Sequence, residues 1–163
     1  MNVVLFFLLI FALACGRKGN PRPPEAIAPS SVRYLTATGE VGGILLTWEA
    51  PFMDNSGDEL TDLAGFKIKR ADFIPDETPD YETIGTVAAV RPPAPPEPTI
   101  ETAPPPPPVD TPPVRYEYRD ATAKPATRYV YVVVPFNDDG VEGAVTSLLR
   151  VTFSGETSVI EAL

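Results

Sequence analysis

The sequence predicts an all-β fold: a seven-stranded β-sandwich interrupted by one Pro-rich insertion. Three observations carry this expectation. Short apolar runs or period-two alternations recur seven times between residues 32 and 153, separated by turn residues. No segment of that region keeps apolar residues at helical spacing. Proline is far above its usual share, with 21 in 163 residues, and it concentrates between residues 91 and 113.

The strands follow in order. Residues 32–38 form the first run, and Gly42 and Gly43 open the second, at 44–48. Residues 65–70 alternate cleanly, with Phe66 and Ile68 on one face and Lys67 and Lys69 on the other. Residues 81–87 supply the fourth strand, and 114–119 alternate Tyr116 and Tyr118 with charged residues. The strongest run is 128–134, rich in Val and Tyr. Residues 144–153 close the set, after a hairpin turn at Asp138-Asp139-Gly140. Seven short strands joined by turns pack best as two sheets face to face.

Proline cannot donate to a sheet ladder, so residues 91–113 are not strand. Removing them from 32–153 leaves about 100 residues, the size of a single immunoglobulin-like sandwich. Four strands on one side and three on the other are each too few for a domain. The segment is therefore expected to loop out of one domain, and loop closure entropy grows only slowly with length. It reads as a spacer, or as a ligand for an aromatic groove through its Pro-x-x-Pro registers.

Residues 1–14 contain no charged side chain and end in Ala14, directly before Cys15, the only cysteine. About 20 apolar residues are needed to span a bilayer, so this run is too short for a transmembrane helix and has the form of a signal h-region. A small residue followed by cysteine at its end resembles the junction of a bacterial lipoprotein precursor. Ala12 stands where that junction usually has Leu, and no basic residue precedes the apolar run. The resemblance implies cleavage before Cys15 and a covalent lipid on its thiol. Two or more acyl chains give stable anchoring where one is marginal. Gly16, in place of Asp, implies sorting to the outer membrane. The stretch Cys15-Gly16-Arg17-Lys18-Gly19-Asn20-Pro21 also resembles the mature start of short lipoproteins associated with lipopolysaccharide transport. Residues 15–31 then read as the lipidated Cys and a flexible Pro-rich stalk reaching about 50 Å as polyproline II. Residues 154–163 read as a loose tail.

Composition excludes several functions. The chain has no histidine, which removes Ser-His-Asp and Cys-His catalysis and the common zinc sites. A net charge of −9 argues against a nucleic-acid partner. With Cys15 lipidated, no disulfide forms within the chain, so the fold stands on its core.

Residues 125–140 (PATRYVYVVVPFNDDG) resemble the most diagnostic stretch of fibronectin type III domains, Pro-x-Thr-x-Tyr-x-x-x-Val-x-Ala-x-Asn-x-x-Gly. Leu46-Thr47-Trp48-Glu49-Ala50-Pro51 is similar to the family's second strand with its core tryptophan, and residues 54–70 to the loop and strand that follow. The resemblance implies that Tyr129 is the corner tyrosine, its hydroxyl bonded to nearby backbone. Pro135 stands where the family has Ala and suggests an early break in hydrogen bonding or a bulge. By parity Tyr129, Tyr131 and Val133 face the core, with Trp48 between the sheets, rather than forming a sugar-binding platform.

The candidate sites follow from what is left. Val130, Val132 and Val134 have the opposite parity and form an apolar outer face, covered by a partner or simply shielded by neighbouring side chains. Asp54, Asp58, Glu59 and Asp62 share one loop, which suggests calcium, but Glu59 occupies the place where an EF-hand needs Gly, and a solvated turn is the simpler reading. No catalytic, cofactor or metal residue is expected. The chain reads as a lipid-anchored cell-envelope binding or scaffold protein on the periplasmic face of the outer membrane, non-catalytic, meeting the membrane through its anchor and an envelope protein as partner. The alternatives are an accessory lipoprotein of lipopolysaccharide-transport assembly and an envelope hydrolase.

Overall fold

Strands dominate the structure, a computed structural model that describes residues 23–90, 113–145, 148–155 and 158–162. One helical turn, α1 (Pro24–Ile27), precedes β1 (Arg33–Glu40), β2 (Gly43–Glu49), β3 (Leu63–Asp72), β4 (Glu82–Ala88), β5 (Arg115–Asp120), β6 (Thr127–Asn137), β7 (Leu149–Phe153) and β8 (Ser158–Ala162). Two antiparallel sheets result, β1-β2-β5 and β4-β3-β6-β7-β8. The expected β-sandwich and all seven expected strands are present.

The core lies between the sheets. Trp48 and Tyr116 from the smaller sheet meet Phe66 from the larger one, with ring centroids 5.4 Å apart for Trp48–Phe66 and 4.6 Å for Phe66–Tyr116. Tyr129, Tyr131 and Val133 join the same cluster, so the expected parity of β6 holds. Burial of each large apolar side chain contributes about 1.5–3 kcal/mol, which makes this cluster the main support of the fold.

Close packing between β4 and β5 depends on one glycine. A Cβ on Gly85 would lie 2.4 Å from the Tyr118 ring. A register shift beside it, at Ile68/Lys69, leaves Ile84 bulged, and the Tyr118 hydroxyl donates to the Ile84 carbonyl at 2.7 Å. The bulge thus turns a main-chain acceptor toward the other sheet.

Four expectations need correction, the first in part. Pro135 does not end β6, which continues to Asn137, but the β3–β6 register does shift just beyond it, between Leu63↔Asn137 and Gly65↔Phe136. The Pro135 carbonyl accepts from Gly143 N at 2.8 Å, on the side away from β3. A strand residue's N–H and C=O share a side, so the missing N–H of Pro135 removes no bond from the β3 ladder.

The last expected strand is shorter than 144–153, because Ala144 N donates to the Pro29 carbonyl instead (3.3 Å). Gly143 makes the approach of that segment feasible, since a Cβ there would meet Pro29 O at 2.2 Å.

The tail is not loose throughout. Its residues 158–162 form β8, which pairs with β7 from Phe153↔Ser158 to Leu149↔Ala162. The open edge of β7 offers unpaired N–H and C=O groups, and Val159 and Ile160 suit a strand.

Finally, residues 24–30 are docked rather than flexible. Asn55 N donates to Ala28 O (2.9 Å), Asn55 Nδ2 to Glu25 O (3.0 Å), Ser56 Oγ to Ala26 O (2.9 Å) and Ser30 N to Met53 O (3.0 Å). A loop rich in short polar side chains satisfies the orphan carbonyls of a one-turn helix. The insertion at 91–113, apart from its last residue, lies outside the described residues, as does Cys15 with the segment 1–14.

Candidate functional site

The outer face of β6, the possible partner face, is buried in the structure. Val130, Val132 and Val134 are each no more than 2% exposed. Their cross-strand neighbours are Ala71, Lys69 and Lys67 on β3, and Arg150 on β7 beside Val130. Long Lys and Arg stems lie along apolar surface while keeping the charged head outside. The heads are held in place here. Glu142 accepts from Lys67 Nζ and Lys69 Nζ, each at 2.7 Å, and the Arg150 guanidinium sits 3.9 Å above the Phe73 ring. Hydrogen bonds from Lys67 and then Lys69 hold the Glu142 carboxyl below the usual range. The three valines are thus buried beside side chains of this chain's own strands.

The acidic loop is also accounted for internally. Asp54 Oδ1 accepts from Ser56 N (2.8 Å) and Asp58 N (2.9 Å), an Asx turn around Gly57. Asp62 Oδ2 accepts from Asn137 Nδ2 at 3.2 Å, tying this loop to the end of β6. Among the described residues, no three carboxylates are arranged to hold a metal ion.

Tyr129 bonds to nearby backbone. The Tyr129 hydroxyl accepts from Lys124 N at 2.9 Å, and its ring is buried against Tyr131 with centroids 5.9 Å apart.

A buried polar cluster joins the two sheets, and the sequence reading missed it. Asp120 ends β5 and is 1% exposed. Its Oδ2 accepts from Arg70 Nη1 on β3 and from the Tyr131 hydroxyl on β6, both at 2.7 Å. Its Oδ1 accepts from Thr122 N (2.9 Å) and Thr122 Oγ1 (2.7 Å). Burial pushes the Asp120 carboxyl up, but the hydrogen bonds from Thr122, Tyr131 and Arg70 outweigh it and hold the group below its ordinary value. Burial, and then the adjacent Asp120 carboxylate, raise the Tyr131 phenol well above its ordinary range. A buried carboxylate with its charge paired and its oxygens hydrogen-bonded ties the strands that carry its partners together. Beyond Arg70, an open cleft of about 340 Å³ is lined by Asp72, Glu77, Asp80 and Glu82.

One end of the sandwich differs from the other in what it shows. The docked segment 24–30 meets the loop at 53–56 there, and β1, β3 and β5 begin there, since Arg33 and Arg115 both pair with Glu49 at the end of β2. Tyr34, Phe52 and Met53 are exposed at this end, with the Arg33 guanidinium 5.7 Å from the Tyr34 ring and 4.8 Å from the Phe52 ring.

No family model matches the chain, and no curated protein matches it.

Proposed function

We propose that this protein is a lipid-anchored, non-catalytic binding or scaffold domain of the cell envelope, held on the periplasmic face of the outer membrane through Cys15. The observation that carries the reading is the position of the only cysteine, directly after fourteen residues without a charged side chain. The rest of the chain is consistent with a displayed module. A single sandwich stands behind a short Pro-rich leader, and its strand order, its core Trp48 and the Tyr129–Lys124 bond support a fibronectin type III reading.

The test is metabolic labelling with a fatty acid in wild type and Cys15→Ser. The reading expects label in the wild type alone, together with an uncut Cys15→Ser precursor. Equal labelling of both proteins would remove the anchor. A narrower reading, an accessory of lipopolysaccharide transport, is favoured by the Cys15-Gly16-Arg17-Lys18-Gly19 start. It is tested by co-purification from detergent-solubilised envelopes.

A further inference from the structure

We infer that the end of the sandwich carrying Tyr34, Phe52 and Met53 rests on the lipid bilayer surface, with these three side chains in the headgroup layer. The inference rests on the anchor reading and extends it to a defined face and orientation.

The chain's own path places this end nearest the anchor. Residues 24–30 are hydrogen-bonded to the loop at 53–56, so the leader leaves the domain beside Met53. Eight peptide units separate Pro23 from Cys15. They span at most about 28 Å even when fully extended. The eleven residues of β6 run about 35 Å from one end of the sandwich to the other, so a short tether holds one end close and leaves the other far.

The exposed apolar residues follow the same division. Tyr34 is 72% exposed, Phe52 54% and Met53 43%, and Val90, Val114 and Val145 flank the same end. Among the described residues, the far end shows only Val41 and Ile74 of this kind. Amphipathic aromatic rings favour the bilayer interface, where one part is apolar and the other wet.

Tyr34 is also held outward at a cost. Its φ is +51°, a left-handed conformation that non-glycine residues avoid, and β1 slips its register against β2 between Arg33 and Thr36 at this point. Arg33 lies over both Tyr34 and Phe52 and is paired with Glu49 at 3.1 Å, so the rim is laterally braced. Arg115 stands 3.9 Å from the same Glu49. The exposed Asp58 and Glu59 lie nearby, and the chain's net charge is −9, so attraction to anionic lipid is not the driving force. Apolar contact with a zwitterionic surface is.

The experiment uses the full-length protein purified from membranes, with a new cysteine at Phe52 (Phe52→Cys), at Met53 (Met53→Cys), or at Val41 on the far end (Val41→Cys). A lipidated Cys15 has no free thiol, so an environment-sensitive fluorophore reports the new site alone. The proteins are reconstituted in phosphatidylcholine vesicles containing a headgroup-level lipid quencher. The expected result is a blue shift and clear quenching at positions 52 and 53, with neither at 41. Labels at 52 and 53 as wet and unquenched as the label at 41 would overturn the proposal. Protection of those labels by added envelope proteins, and not by lipid, would overturn it in favour of a protein contact. Intact mass on the same samples separates the two readings. An acylated Cys15 with wet labels defeats only the orientation, whereas an unmodified Cys15 defeats the anchor and the orientation with it.

Discussion

Asp120 on the smaller sheet and Arg70 on the larger one form an ion pair, 2.7 Å from Oδ2 to Nη1, across the interior of the sandwich. Arg70 is the inward-facing residue opposite Tyr131 in the β3–β6 ladder, and the Tyr131 hydroxyl completes the second contact to the same oxygen. Besides the Tyr118 hydroxyl on Ile84 O, this pair gives the two sheets a charged, directional link.

Replacing that carboxylate should be expensive. Asp120→Asn leaves Arg70 facing the interior without its counter-charge and should cost about 3 kcal/mol, the low end for breaking a buried pair, because Arg70 keeps some access to water. Urea titration would read the loss as a lower midpoint with unchanged slope. The double variant Asp120→Leu with Arg70→Met should lose less than Asp120→Asn, since no charge is then left unpaired.

The same site sets an acid limb. A carboxyl whose folded pKa is depressed contributes stability that is fully present above its ordinary pKa. That contribution is lost as pH falls through the lower, folded value. Asp120 and Glu142 both shift in this direction. Stability should therefore decline below about pH 4, the ordinary carboxylate range. The decline should be shallower in Asp120→Asn. Denaturation curves across that range give the comparison, and identical acid limbs in the two proteins would mean Asp120 is not held below its ordinary value.

Val132 offers a check on the closed outer face. Val132→Thr keeps the branched shape but buries a hydroxyl where the native residue is 2% exposed. An unpaired buried hydroxyl costs about 1–3 kcal/mol. Thermal melting should show that loss, and binding to envelope partners should be unaffected. A variant as stable as wild type would indicate that water reaches this face.

The insertion should be dispensable for folding. β4 ends at Ala88, and its continuation is pinned by Ala89 N to Ala64 O (2.9 Å) and Val90 N to the Tyr116 hydroxyl (3.0 Å). Replacing 91–113 by a short Gly-Ser linker keeps those bonds. It should change stability by no more than a few kcal/mol, the scale of loop-closure effects. Loss of a cooperative melt would make the segment part of the fold.

The strands were legible in the sequence because their signal is local. Alternation in 65–70, aromatic spacing in 114–119 and the Val-rich run after Arg128 each report a sheet face within a few residues. The parity of Tyr129 and Tyr131 was legible for the same reason. The Asp120–Arg70 link was not, since its partners are 50 residues apart and Asp120 reads as an ordinary strand-end residue before a turn. Local pattern also failed where a segment's structure comes from a distant acceptor. The turn at Pro24–Ile27 exists through Asn55 and Ser56, and β8 exists through the free edge of β7. The outer valines show the remaining gap. Periodicity assigned them to a face, but their burial depends on lysines of another strand bridged by Glu142.

The most direct test of the central claim is the intact mass of the protein isolated from membranes. A lipid-anchored envelope protein should begin at Cys15 and carry a diacylglyceryl group on that thiol, with or without a further acyl chain on the new amino terminus. A chain that still begins before Cys15, or begins there with an unmodified thiol, would contradict it.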